Sequence, residues 1–201
     1  MNGNAEIIKL VKDSETLIQW MDSRLDGLSI PSDDRCRLSA GCFHVALEHQ
    51  KSIVLLVANL LHGSAFALVR LIFEAYVRGL WLYRCASKDE VDKFQNEKGG
   101  IDKTFATLIT EIEQVKGYEY GMLSDVKKTS WKAMNDYTHS GIRQISRRIT
   151  EDSIEPTYAV SEIRDCITST AAFGLMAALE ISLMAKADTL ALELLEKTKT
   201  I

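Results

Sequence analysis

The chain has 201 residues, 46% of them hydrophobic and 26% charged, with a net charge of -4. This balance excludes a disordered chain and a uniformly basic nucleic-acid binder, leaving only a local basic surface open. With two prolines and 11 glycines there are few helix breakers, so one domain of long helices is expected.

In the first segment, 5–25, Ile7, Val11, Leu17, Ile18 and Met21 recur at helical spacing, and Gly27 follows as a stop. An amphipathic, peripheral N-terminal helix is predicted within 1–27. Pro31 opens the next unit, where Ser32 or Asp33 can cap a helix over 34–61. Its second half, SIVLLVANLL, is nearly all apolar and must be buried on most sides. On the same helix His44 and Glu48 are four apart, with His49 beside them, and read as a solvated pair.

His62-Gly63-Ser64 reads as a short break, with Ser64 capping a third helix that ends near Arg84. Helices two and three then form an antiparallel hairpin. Ser87 and Glu90 have the spacing of a capping box for a short helix over 88–95. Residues 96–100 read as a loop whose flexible point is Gly99-Gly100. A fifth helix is predicted over 103–115, ended by Lys116-Gly117. A sixth runs over 124–138, followed by a break at His139-Ser140-Gly141. Residues 142–149 make a short helix or an irregular arm.

Pro156 opens a long last helix over 157–185, with 188–197 continuing it or adding a terminal turn. Ala171, Ala172, Gly174, Ala177 and Ala178 on it permit close helix approach. No stretch alternates as a strand does. The fold class is therefore all-α: a single-domain helical bundle. Its core comprises four long helices, the second, third, sixth and last, with shorter helices packed around them. The central helices, 32–150, carry the candidate site, and 157–197 is the C-terminal helix.

Cys36, Cys42, Cys85 and Cys166 are scattered with no CxxC, and the N-terminus has no secretory segment. They read as reduced, mostly buried thiols of a cytoplasmic protein. A metal cluster of Cys36, Cys42 and His44 lacks a second ligand pair, so no metal is assigned. Residues 64–83 and 167–185 are apolar enough to raise a membrane span. Three charges in the first and Glu180 in the second favour buried core helices. No Walker loop, dinucleotide fingerprint, nucleophile elbow or HExxH occurs, and no cofactor is assigned.

The third helix, SAFALVRLIFEAYVRGLWLY, carries Arg70, Glu74 and Arg78 four apart, on one side of an otherwise apolar surface. Such a stripe is either an internal ion-pair ladder or the border of a cleft or partner surface. The second candidate is NDYTHSG, 135–141, where His139 stands at a helix end and can exchange protons near neutral pH. Around it Lys127, Lys128, Lys132, Arg143, Arg147 and Arg148 face one acid, Asp136. This is either a solvated basic face or an anion or nucleic-acid surface, with Trp131 and Tyr137 placed to stack bases.

The run FALVRLIFEAYVRGLWL with the later YTHSG resembles an uncharacterised family of bacterial helical proteins. That family is itself similar to HEPN-type and AbiV-like abortive-infection proteins. The resemblance covers roughly residues 50–150. It implies an Arg, an Asn and then a His on one helix, two such motifs meeting across a homodimer, and RNA cleavage without metal. Asn135 and His139 match its Asn and His, whereas Met134 stands at the Arg position. Arg70, from the neighbouring helix, can supply the missing cation, with Glu74 orienting it or His139.

Two functions follow. One is a HEPN-like RNA-acting toxin or phage-defence component, a metal-independent ribonuclease. In it Arg70, Glu74 and His139 are catalytic, and Arg78, Asn135, Arg143 and Arg147 bind substrate. The other is a non-catalytic module that forms a homodimer, or binds a protein partner, through the charged stripe and the small-residue helix.

Overall fold

A computed structural model describes residues 3–96 and 100–199. Among these the elements are α1 (Gly3–Leu25), α2 (Asp34–Ala58), α3 (His62–Arg84), α4 (Lys88–Gln95) and α5 (Phe105–Ile112), then α6 (Met122–Thr138), α7 (Ile142–Ser146), α8 (Val160–Met184) and α9 (Asp188–Thr198). No strand occurs among the described residues, and the arm between α7 and α8 closes through one antiparallel bridge, Ile149 to Ile154. The all-α expectation holds. Of the expected Gly99-Gly100 loop point, Gly99 lies outside the described residues.

The starts follow local side-chain chemistry. Asp33 caps α2 by accepting from the Cys36 amide at 3.1 Å, and this hydrogen bond holds its carboxyl below the usual range. Ser87 and Glu90 form the expected capping box on α4. Thr104 caps α5 by accepting from the Thr107 amide at 3.2 Å. α5 is shorter than predicted at both ends. Beyond it Glu113 turns away, and its Oε1 accepts from the Ser124 amide at 2.8 Å in the first turn of α6.

The stops differ more. α2 ends at Ala58, three residues early, because Leu60 adopts a left-handed φ of 59°. The Leu61 amide then donates back to Leu56 O at 2.8 Å and the Leu60 amide to Val57 O at 3.0 Å. This is a Schellman closure with leucine where glycine is usual. Lys186, φ 55°, does the same between α8 and α9, with the Ala187 amide on Ser182 O at 2.9 Å. The last unit is therefore two helices. The expected break at His62-Gly63-Ser64 is instead the first turn of α3. Leu61 is the residue before it, and Ser64 does not cap.

α2, α3 and α8 form the centre. Phe43, Ile53 and Val57 of α2 meet Ile72, Phe73 and Leu80 of α3 and Leu175 of α8, all essentially inaccessible. Close approach depends on two glycines. A Cβ on Gly79 would meet Phe43 at 2.8 Å, and one on Gly174 would fall 1.8 Å from the Gln50 amide oxygen. Gly174 of α8 thus faces α2, and Gln50, 1% exposed, has neither amide atom hydrogen-bonded.

α1 lies against α8 and α2 and buries Ser14, Ile18 and Met21. α6, expected among four core helices, buries only Leu123, Met134 and Tyr137 and is an outer layer on α3. α8 is long and apolar enough to cross a membrane by length and composition, and 61% of that window is buried within the fold. Its one acid in the apolar half, Glu180, is 2% exposed and bonded by Arg84 of α3 at 2.9 Å and by the Tyr118 hydroxyl.

Candidate functional site

The charged stripe of α3 faces the C-terminal half of α6. Glu74 is its pivot. Its side chain is only 10% exposed and accepts from Arg70 Nε at 2.6 Å and Arg78 Nη2 at 2.8 Å. That burial leaves the carboxylate little water. Two guanidinium groups share it as their counter-ion. Arg78 is 41% exposed and forms the wet end of the ladder.

Arg70 is fixed on three sides. Besides its bond to Glu74, its guanidinium lies 4.7 Å over the Trp131 ring of α6. Trp131 in turn stacks on Phe105 of α5, with centroids 4.8 Å apart and planes at 17°. Arg70 Nη1 then reaches His139 Nε2 at 2.6 Å. A guanidinium only donates, so Nε2 accepts and the imidazole carries its proton on Nδ1. Nη2 of Arg70 has no partner among the described residues.

His139 is exposed and closes α6 as its C-cap, its amide bonded to Asn135 O at 2.9 Å. The turn beyond it is a Schellman closure. Ser140 has a left-handed φ of 54°, and the Gly141 amide donates to Asp136 O at 2.6 Å. A Cβ on Gly141 would lie 2.8 Å from the Asp136 Cα, so glycine is required there. Thr138 anchors the same helix end to α3 through its hydroxyl on Ala67 O at 3.1 Å. Asn135 Oδ1 is buried one turn before His139 and lacks a hydrogen-bond partner.

The sequence-predicted residues divide accordingly. Arg70, Glu74, Arg78 and His139 form one connected cluster, and Asn135 lies on the same helix end. Arg143 and Arg147 make their contacts elsewhere. Arg143 pairs with Asp136 at 3.6 Å, and Arg147 is bonded to Glu162 of α8. Both of these partners are carboxylates, so the basic run is partly neutralised within the chain. Met134, at the motif's Arg position, is 6% exposed and packs in the core, so this position supplies no cation to the site. Phe105 was no part of the predicted site, and only its place on an apolar helix face marks it. His44 and Glu48 are both exposed, and no ion pair joins them. Among the described residues no three His, Cys, Asp or Glu side chains lie close enough to share a metal ion.

The arrangement is an imidazole at a helix end, with a guanidinium held in place by a buried carboxylate and an aromatic platform. One guanidinium prong remains open. Such a pair can bind an oxyanion through the cation and exchange a proton through the ring. Comparison with curated proteins and with solved structures returns no match. A family of unknown function, DUF6988, matches residues 43–200, which include every residue of this site, and the chain belongs to that family.

Proposed function

We propose that this protein acts on RNA as a HEPN-like, metal-independent ribonuclease, with Arg70, Glu74 and His139 as a composite site. The observation that carries the reading is the 2.6 Å contact between Arg70 Nη1 and His139 Nε2, across two helices, in a chain whose α6 lacks its own Arg. The cation that the resembled motif places beside the histidine is supplied from α3 instead.

In this reading an RNA phosphate takes the open prong of Arg70 and draws the guanidinium from Nε2. The freed ring nitrogen accepts the proton of the 2′-hydroxyl. The 2′-oxygen attacks phosphorus, the 5′-oxygen leaves, and the proton returns to it from the ring. The products are a 2′,3′-cyclic phosphate and a 5′-hydroxyl. Arg70 stabilises the charge that develops on the phosphoryl oxygens, and Glu74 keeps the guanidinium in place. Arg78, at the exposed end of the ladder, and Asn135 contact the flanking nucleotide, while Trp131, between Arg70 and Phe105, keeps the guanidinium in position. A cytoplasmic homodimer with a role in toxicity or phage defence belongs to the same proposal.

Incubation of single-stranded RNA in EDTA with wild type and His139→Ala tests it. Wild type should leave 2′,3′-cyclic ends, and the variant should cleave about 100-fold more slowly or worse. Equal cleavage by both, or none by wild type, overturns the reading.

A further inference from the structure

A second cluster lies at the opposite end of α3's N-terminal half and takes no part in the site above. We propose that the N-terminus of α3, with Arg148, His62 and Tyr158, is a phosphate-binding site. It does not depend on the ribonuclease reading.

α3 starts without a side-chain cap. The Ser64 and Ala65 amides both return to Leu61 O at 3.1 Å, while those of His62 and Gly63 find no acceptor among the described residues. These two amides stand at the positive end of the helix dipole. Arg148 lies against that end. Its Nη2 is 2.7 Å from where a Cβ on Gly63 would sit, and the Tyr158 hydroxyl is 3.1 Å from the same point. Glycine at 63 is what admits both groups. Arg148 forms no ion pair among the described residues, although its neighbour Arg147 is bonded to Glu162. A cation at the positive end of a helix, without a counter-ion, repels its surroundings.

Two further polar groups there are unpartnered. His62 is 9% exposed, and its Nδ1 has no hydrogen bond. The Tyr158 hydroxyl is likewise buried and unbonded. The two rings meet edge-on, with centroids 5.5 Å apart. Gln144 braces the site from α7, its Nε2 donating to Gly63 O at 3.2 Å.

The unpartnered groups gathered at this helix end are therefore donors: two amides, a guanidinium, a hydroxyl and an imidazole that can carry its proton on Nδ1. Their complement is an acceptor-only anion. Five donors exceed the two oxygens of a carboxylate and suit the three or four of a phosphate. Arg148 is half-buried, and Leu61 and Ser64, on either side of the buried His62 and Gly63, are exposed. Gly63 and Arg70 are seven residues apart on one helix, about 10 Å of rise, so one oligonucleotide can reach both sites.

The test titrates inorganic phosphate into the full chain at constant ionic strength, reading thermal stability and the His62 imidazole resonances. Wild type should be stabilised by phosphate beyond chloride. Arg148→Gln should weaken binding at least about tenfold, a ratio set by loss of a charge-assisted contact, and Tyr158→Phe should weaken it less. Arg37→Gln, which removes an exposed arginine on α2, should leave it unchanged. No phosphate effect in wild type, or equal loss in Arg37→Gln and Arg148→Gln, overturns the site. Competition by 5′-phosphorylated and 5′-hydroxyl RNA then assigns the source. Displacement by the first alone means a terminal phosphate, by both a backbone phosphate, and by neither a free phosphate compound; all three support the site.

Discussion

Glu74→Gln separates a buried ion-pair pivot from a solvated stripe. The substitution keeps the shape of the side chain and removes its charge. Of the two bonds lost or weakened, the one to Arg70 lies under Trp131 and is mostly shielded from water. A hydrogen bond between charged groups in such a place contributes about 1.5–3 kcal/mol. The bond to Arg78, whose side chain is 41% exposed, is discounted to about 0–1 kcal/mol. The new amide nitrogen also points a donor at a guanidinium. Together these give a loss of about 2–3 kcal/mol by urea denaturation. In a chain of this length that is a fall in Tm of about 5–10 °C. A solvated stripe would cost under about 1 kcal/mol for both pairs. A measured loss that small, with unchanged m-value, would refute the placement of Glu74 as the buried pivot of the site.

Other outcomes follow from the same structure. Gln50→Met replaces a buried amide that bonds to nothing and should stabilise the fold by about 1–2 kcal/mol in the same assay; a loss would mean that the amide has a partner. Gly141→Ala forces a methyl against the Asp136 backbone and should cost about 1–3 kcal/mol while shifting the His139 resonances; unmoved resonances would contradict the role of that turn. Burial pushes the Cys42 thiol up to about 11 and Cys166 up to about 12. Unfolded thiols ionise near 9, so the folded state keeps protons that the unfolded state loses. Their stability is complete below pH 9 and declines as pH rises toward 11. Cys42→Ala should flatten that decline, and an unchanged slope would show that the thiol is not shielded.

The helices were legible because apolar periodicity and caps agree, as at Asp33, Ser87 and Glu90. The stripe was legible for the same reason: three charges four apart interrupt an apolar face. The stops at Leu60 and Lys186 were hidden because the left-handed residues there are neither glycine nor asparagine. His62-Gly63 looked like a break because glycine is usual in loops. Here its missing side chain makes room for Arg148 and Tyr158. The division of the basic run was also invisible. Arg147 and Arg70 look alike in sequence, and only the fold puts Glu162 beside one and His139 beside the other. The small residues of α8 read equally well as a dimer face, but Gln50 occupies the space that Gly174 leaves.

The most direct test of the composite site is single-turnover cleavage of single-stranded RNA in EDTA. It compares wild type, Arg70→Ala, His139→Ala and the double variant. If the two side chains act as one unit, each single change lowers the rate about 100-fold or more, and the double variant falls little below the slower single one. Losses that multiply in the double variant, or a wild type that leaves the RNA intact, would contradict the account.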